Sequence, residues 1–365
     1  MEISKQTQQA GDNSQLVQAQ TVIIQNGITE QRAREIFDEK IAITKRDLTV
    51  EAIAEAQTRI NKLEENLIPK MQKIDEGLKS FADPSFQMLL VEAQKSAASS
   101  EREEDYDLLS ELLVKRISSG EDRNERAGIH HAIQIVDNIS SSALQALTLF
   151  HISCMLKPNQ DLKLGLKALN EEYGKFMDLP LPLGADWIEH LDLLRAIRIN
   201  SFGRFPSIED FIARQCEDFA EAGIKKDSDT YNEAIKLLSS CGLNGTGVFI
   251  DNPVFSDYVR INISSKDEID TLSLHNNIAG RHFVVPLNNA QKNALKSIRN
   301  MYSKDSQLLK QMKEWVVEQW GAFHYLNKFS EWWKQIPISF DITAAGRILA
   351  NANANRIDST ISKIQ

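Results

Sequence analysis

Apolar residues recur at helical spacing along most of this chain of 365 residues. In the longest such segment they stand three and four residues apart, which is the pattern of one face of an α-helix. A four-residue shift after Leu67 is typical of a coiled coil with a stutter. We favour a helix packed on its own domain, because a sustained coiled coil needs three or four regular heptads. The apolar positions are Ile53, Ala56, Ile60, Leu63, Leu67, Met71, Ile74 and Leu78.

Capping residues predict where several helices begin. Asp83 is followed by Pro84, which suits the first helical position because that position needs no N–H donor. The short polar side chains at the other predicted starts accept hydrogen bonds from the first turn of a helix. The predicted caps are Thr29, Asp83, Ser207 and Thr343.

Proline and glycine divide the helical pattern. The segment "LPLPLG" (Leu179–Gly184) interrupts it and marks a predicted domain boundary. Helices are predicted again at "ADWIEHLDLLRAI" and in the tryptophan-bearing "KEWVVEQWGAFHYLNKFSEWWKQI". We therefore expect a mainly α protein in three parts: a β-prone tail at residues 1–28, a bundle-like helical domain at residues 29–180, and a helical domain with a small sheet at residues 181–365.

The small sheet is predicted from a change in period between residues 243 and 287. Val259, Ile261 and Ile263 alternate with polar residues, and "RHFVVPL" provides a second strand. A helix follows from Asn289. Helices, a short hairpin and a final helix resemble a winged-helix arrangement, although other small α+β domains fit equally well.

The front of the chain differs from the rest. Residues 8–27 are rich in glutamine, and the stretch from Ser14 to Gln25 contains no charge and no proline. Glutamine ladders and interdigitated branched side chains favour stacking of identical strands from chain to chain. The stretch is also roughly mirror-symmetric about Ala19. The residues expected to self-associate are Asn13, Gln15, Leu16, Val17, Gln18, Gln20, Val22, Ile23, Ile24 and Gln25.

Two resemblances rest on these residues. Val17-Gln18, flanked by Asn13 and Gln25, resembles the RHIM-type amyloid signalling motifs and the related pseudo-palindromic motifs of immune proteins, with Ala19 where those motifs have a branched aliphatic residue. The pattern G-D-N-S-x-x-x-Q-A, followed by "DPSFQ" and "FDITAAGRILANANA", resembles an uncharacterised bacterial family. Together they imply a bacterial cytoplasmic protein that self-associates, with a role in antiviral defence and a second protein with a similar tail as a partner.

Other interpretations of the tail stay open. Glutamine-rich polar termini are commonly disordered. A second alternative is that a few tails of a small oligomer form a local β-structure without forming fibres. A third is that the segment packs on its own domain.

Charge and cysteine content argue against several classes of function. A formal net charge of −9 at pH 7 argues against a general nucleic-acid binder, but it leaves room for a local basic patch. The cysteines lack C-x-x-C spacing, so we expect no disulfide framework and no cysteine zinc site. The first residues lack a secretory pattern and the apolar runs are too short to span a bilayer. We expect a cytoplasmic protein with no membrane partner and no cofactor.

One stretch raises an enzymatic alternative. In "EDRNERAGIHHAI", Arg123, Asn124 and His130 have a spacing that resembles the motif of the HEPN ribonucleases, helical dimers that cleave RNA. Arginine would stabilise charge on a phosphate while histidine acts as acid or base. The competing interpretation is a solvated Arg123 and a histidine, His130 or His131, that faces the core.

Further patterns favour structural roles. "GLNGTG" lacks the Lys-Ser/Thr of a phosphate-binding loop and is interpreted as a connection. Asp186, Glu189 and His190 stand without a partner cluster for a metal. The tryptophans would stack bases beside nearby lysines, but a core position is favoured for Trp315, Trp320, Trp332 and Trp333. We therefore expect a non-enzymatic assembly or signalling protein, with a HEPN-like nuclease or a winged-helix nucleic-acid binder as the alternative.

Overall fold

The computed structural model is mainly helical, with small antiparallel sheets. This agrees with the predicted fold class. The predicted self-association segment at residues 8–27 lies outside the described part of the chain. The residues that the structure describes are 28–45, 49–75, 78–120, 122–158, 161–278 and 281–361.

The helices of the first half follow one another with short connections. They are α1 (Glu30–Thr44), α2 (Val50–Ile74), α3 (Pro84–Ser99), α4 (Glu103–Ser118), α5 (Arg123–Ile135), α6 (Ser141–Met155) and α7 (Leu162–Lys175).

Short strands interrupt the helices of the second half. The elements in order are α8 (Asp186–Leu193), β1 (Ile197–Ile199), α9 (Ile208–Gln215), β2 (Ile224–Lys225), α10 (Asp229–Ser240), α11 (Gly245–Val248), β3 (Phe249–Asp251), β4 (Tyr258–Ile261), β5 (Ser273–Ile278), β6 (Arg281–Pro286), α12 (Asn289–Asn300), α13 (Ser306–Gly321), α14 (His324–Trp333), β7 (Phe340–Ile342) and α15 (Ala344–Ile357).

The predicted helix caps are confirmed. The Asp83 carboxylate accepts hydrogen bonds from the N–H groups of Ser85 and Phe86, and Pro84 occupies the first position of α3. The hydroxyl oxygens of Thr29, Ser207 and Thr343 likewise accept from a backbone N–H three residues further on. These contacts satisfy donors that the first turn of a helix leaves free.

The long helix α2 packs on its own domain, as favoured from its sequence. Its apolar stripe is buried from Ala56 to Met71, and it contacts α3 and α4. The helix ends at Ile74, which is exposed. Leu78 is buried but lies beyond the helix, so the last part of the predicted series is not helical.

Three antiparallel sheets form in the described part of the chain. Strand β1 pairs with β7, with Ile197 opposite Ile342. Strand β4 lies between β2 and β3, and β5 pairs with β6 as a hairpin. The strand predicted from Val259, Ile261 and Ile263 is observed as far as Ile261, and the strand predicted in "RHFVVPL" is observed as β6.

Buried side chains form two clusters. The first cluster combines residues from 28–220 with residues from 315–361, and the second lies between residues 224 and 302. The predicted boundary near residue 180 falls within the first cluster, because Tyr173 packs edge-on against Trp320 and Phe329. The inserted second cluster, rather than the proline segment, separates the two groups of buried side chains.

A set of polar contacts joins the two clusters. Arg299 on α12 binds the buried carboxylate of Asp218, with 3.1 Å between Nε and Oδ1, and also binds Glu217. The guanidinium of Arg260 lies 4.5 Å from the ring centre of Phe219. Both contacts link the second cluster to the turn after α9.

Two predicted helices differ in extent from the structure. The helix predicted over "ADWIEHLDLLRAI" ends at Leu193, and Ile197 begins strand β1. The tryptophan segment forms two helices, α13 and α14, that meet near Phe323. In the described part of the chain, no helix combines the length and apolar character that crossing a membrane requires.

Candidate functional site

The residues of the enzymatic alternative lie on helix α5. Asp122 caps this helix, and its carboxylate accepts hydrogen bonds from the N–H groups of Asn124 and Glu125. Arg123, Asn124 and His130 are all exposed. Arg123 and His130 are seven residues apart, so they lie on one face, about two turns or roughly 10 Å apart along the axis. His130 therefore does not face the core.

The neighbouring His131 turns toward a cleft. Its Nε2 donates to the carbonyl oxygen of Leu194 at 3.1 Å, a contact that requires the ring proton on Nε2. It lines a cleft of about 670 Å³ between α5, the end of α8 and the start of α15. The other lining residues are Asp192, Arg195, Ile197, Arg198, Thr343, Ala344 and Ala345.

The start of α15 is held firmly against this cleft. Thr343 caps the helix, and its hydroxyl donates to the carbonyl oxygens of Arg195 and Ala196. Gly346 is required here because a Cβ atom at this position would lie 1.9 Å from the carbonyl oxygen of Ala196. The positive end of the α15 dipole therefore faces the cleft.

Arg195 has an unusual backbone conformation. Its φ is 56°, in the left-handed region that side chains other than glycine rarely adopt. The residue closes helix α8, where its N–H donates to the carbonyl oxygen of Asp192 and the next N–H, of Ala196, donates to that of Leu191. Glycine usually occupies this position. An exposed arginine here places a cation at the mouth of the cleft.

Arg198 adds a second cation. It is exposed on β1, opposite Asp341 of β7 in the strand register. No ion pair joins these two described side chains. The other nearby acid, Asp192, accepts a hydrogen bond from the N–H of Ile199 at 3.0 Å. The cleft therefore carries His131, two arginines and a helix start against one acid.

A turn after β1 presents an aromatic ring. The Asn200 side chain accepts from the N–H of Gly203 at 2.8 Å, which closes residues 200–203 into a turn. A Cβ atom at Gly203 would lie 2.6 Å from Nδ2 of Asn200, so a larger residue would displace the side chain that closes the turn. Phe202 at its tip is fully exposed, and Arg204 beside it is exposed as well.

Sequence reasoning missed this surface. The segment "RAIRINSFGR" contains three arginines and a phenylalanine, and no acid lies between Asp192 and Glu209. That run of uncompensated positive charge was the available signal. The exposure of Phe202 was not available, because a lone phenylalanine in a sequence is more often buried.

The tryptophans occupy the core, as favoured. Trp320, Trp332 and Trp333 are buried, and Trp315 is partly buried. The ring of Trp333 stacks on Phe150 with 5.4 Å between ring centres. Nε1 of Trp320 donates to the Leu326 carbonyl oxygen and the Ser330 hydroxyl. Buried rings in these positions do not offer a face to a base.

Histidine and carboxylate side chains are the candidate metal ligands of this chain. His190 has a structural contact, since its Nε2 accepts from the N–H of Ser140 at 3.2 Å. Among the described residues, no group of three or more His, Cys, Asp or Glu is placed to hold a metal ion.

Another cleft lies in the second cluster. It measures about 830 Å³ between the turn after α10 and strand β5, and the "GLNGTG" residues line one wall. Helix α11, next to this turn, has four residues and so extends only about 6 Å. A helix this short is too small for a recognition helix in a DNA major groove. Helices α10 and α12, of 12 residues each, flank the strands of this region, so the winged-helix arrangement stays a prediction.

Comparison with known proteins gives a family match. The model of one uncharacterised protein family matches residues 27–363. No curated protein and no solved structure matches the chain.

Proposed function

The chain belongs to this uncharacterised family, and we propose that it is a non-enzymatic self-assembling or signalling protein that oligomerises through residues 8–27. The observation that carries the proposal is the start of the family match at residue 27. The glutamine-rich segment ends where the shared domain begins. The family match therefore covers the folded domain but leaves out nearly all of the segment that has the composition of a stacking motif.

The structure supports a firm attachment point for the segment. Ile28 packs against the first cluster, and Thr29 caps α1. Helix α1 is tied to α2 by the Arg34–Glu64 ion pair, with 2.6 Å between Nη1 and Oε1, and by a hydrogen bond from Gln72 to Glu30. Pairing of the segments would therefore concentrate the folded domains. By analogy with the resembled motifs, we place this assembly in the bacterial cytoplasm and in antiviral defence.

The test is the absolute mass in solution, measured by light scattering after size-exclusion chromatography. We expect a defined oligomer or larger assembly for the full chain and a monomer for a version that starts at Ile28. A full-length variant with Val17→Pro and Ile23→Pro should also be monomeric, because proline cannot donate a hydrogen bond within a β-ladder.

The matched control is Ser4→Pro, which adds a proline outside the segment and should leave the mass unchanged. If the full chain and the truncated version have equal masses, assembly through the segment is wrong. If the full chain is an oligomer and the truncated version a monomer, electron microscopy of the full chain distinguishes a fibre from a discrete ring.

A second candidate is a nucleic-acid-acting effector of the HEPN type. It is favoured by one observation, the exposure of Arg123, Asn124 and His130 on helix α5. His130→Ala should lower RNA cleavage by about 100-fold or more, the usual contribution of a general acid or base. Gln134→Ala is the matched control, since Gln134 is exposed one turn further along the same face. Unchanged cleavage in His130→Ala would exclude this assignment.

A further inference from the structure

Four exposed side chains of the segment between α8 and α9 are here named the basic strip: Arg195, Arg198, Phe202 and Arg204. Its three arginines make no side-chain ion pair or hydrogen bond within the described part of the chain. Other exposed cations form ion pairs, as Lys310 does with Glu314 and Lys334 with Glu331. The three arginines stand close together in a segment that contains no acid, on a protein with net charge −9.

Phe202 is the second, independent observation. It is the sole aromatic among the exposed large hydrophobic residues of the described ranges. Leaving its ring in water costs the hydrophobic free energy that burial would provide. The turn of residues 200–203 is closed by its own hydrogen bonds, so the ring is presented by an ordered backbone.

We infer that the basic strip binds single-stranded nucleic acid, with phosphates on the arginines and one base stacked on Phe202. Single-strand binding sites combine cations that follow the backbone with aromatic rings on which bases stack. The cleft beside Arg195 and Arg198 adds the start of α15, whose first N–H groups suit a phosphate. The inference goes beyond self-association and does not depend on it.

The shape and charge of the surface favour a strand over a membrane. A flat anionic bilayer would contact a wide area of a protein whose net charge is −9, whereas a single strand is narrow enough to contact the strip alone. A bilayer also cannot enter the cleft that holds His131. An acidic peptide would satisfy the arginines but would leave the Phe202 ring without a planar partner.

The test is fluorescence anisotropy with the full chain and a labelled 20-nucleotide single-stranded RNA of mixed sequence at several salt concentrations. Arg195→Gly, Arg198→Gln and Arg204→Gln should each weaken binding roughly tenfold and reduce the salt slope by about 0.7. Phe202→Ala should weaken binding by roughly 5- to 100-fold without changing the slope, because it removes stacking alone. A duplex of the same length should bind more weakly, since its base faces are covered.

Two variants serve as matched controls. Lys310→Gln removes a cation that is 76% exposed on α13, and Met88→Ala removes an apolar side chain that is 66% exposed on α3. Neither should change RNA affinity. Circular dichroism should show the same fold for all variants, since every altered side chain is exposed.

Three results would overturn the inference. They are absence of RNA binding by the wild type in low salt, equal losses in the control and strip variants, and strip-dependent binding to phosphatidylserine vesicles without RNA binding, which would assign the strip to a membrane surface. The oligomeric mass of each variant is measured in parallel. Self-association can thus fail or hold independently of RNA binding.

Discussion

The two buried clusters differ in the side chains that fill them. The first is rich in aromatic rings. The ring centre of Phe150, for example, lies 4.8 Å from that of Phe340 and 5.4 Å from that of Trp333. The second is built almost entirely of Ile, Leu and Ala, and Tyr302 is its one fully buried aromatic. Larger side chains bury more apolar area. The first cluster should therefore provide most of the stability.

The difference also concerns what holds each cluster in place. Helices from both ends of the chain close the first cluster, as in the contacts of α15 with α4, α5 and α6. The second cluster is inserted between Glu221 and Ser303 and depends on polar contacts such as Arg299–Asp218. The comparison indicates that the second cluster opens before the first.

The largest expected effect is removal of an aromatic side chain from the first cluster. Trp320→Ala should lower the free energy of unfolding by roughly 3–5 kcal/mol, because it leaves a cavity and removes two buried hydrogen bonds. Urea unfolding followed by circular dichroism measures this. Trp315→Ala, at a partly buried position, is the matched control and should cost clearly less. Equal costs would contradict the assignment of the first cluster as the main core.

Leu238→Ala probes the second cluster. Leu238 is fully buried on α10, so its truncation should cost roughly 2–4 kcal/mol. Hydrogen exchange should then accelerate at residues 224–302 while the amides of α3 and α6 keep their protection. Uniform acceleration across both clusters would show instead that they unfold as one unit.

The contact between Asp218 and Arg299, which joins the two clusters, predicts that the free energy of unfolding depends on pH. Burial raises the pKa of the Asp218 carboxyl from 3.8 to about 6, although the neighbouring Arg299 acts to lower it. The folded protein therefore holds this proton more tightly than the unfolded chain does. The resulting stabilisation is complete below about pH 4 and is lost as pH rises through about 6, by at most about 3 kcal/mol.

Asp218→Asn removes this titration. The unfolding free energy of the wild type, measured relative to Asp218→Asn in urea, should fall between about pH 4 and pH 6. A relative stability that rises over this interval would mean that Arg299 keeps the carboxylate charged in the folded protein.

The smallest expected effect lies at the surface of the first cluster. Arg195→Gly should raise the free energy of unfolding by about 1 kcal/mol, because glycine adopts the left-handed conformation at this position without steric cost. Thermal unfolding measures the change, and Arg198→Gly, at an extended position, is a control that should not stabilise. A loss of stability in Arg195→Gly would show that the arginine side chain contributes to the fold.

Local features of the fold were predictable from the sequence. The caps Thr29, Asp83 and Thr343 and the buried stripe of α2 were found correctly, since each depends on residues a few positions apart. The helix predicted over "ADWIEHLDLLRAI" extended to Ile197, and strand β1 was not predicted, because its pairing partner, β7, lies far along the chain.

The candidate sites also differ in whether the sequence alone identified them. The motif of Arg123, Asn124 and His130 could be found from residue spacing along one helix. In the structure all three side chains are exposed. The segment at residues 8–27 was identified from composition alone and lies outside the described residues. The basic strip was missed because its meaning depends on the exposure of Phe202 and on unpaired arginines, and neither property follows from residue order.

The sequence by itself determined the helical class, the helix starts and the contrast between the glutamine-rich front segment and the domain that follows. Those properties arise from hydrogen bonds and apolar spacing within a few residues. Only the tertiary structure decided that one buried cluster includes residues on both sides of residue 180, and that His131, Arg195 and Thr343 line one cleft. Contacts between residues far apart in the chain are selected by packing of the whole domain, which no local pattern specifies.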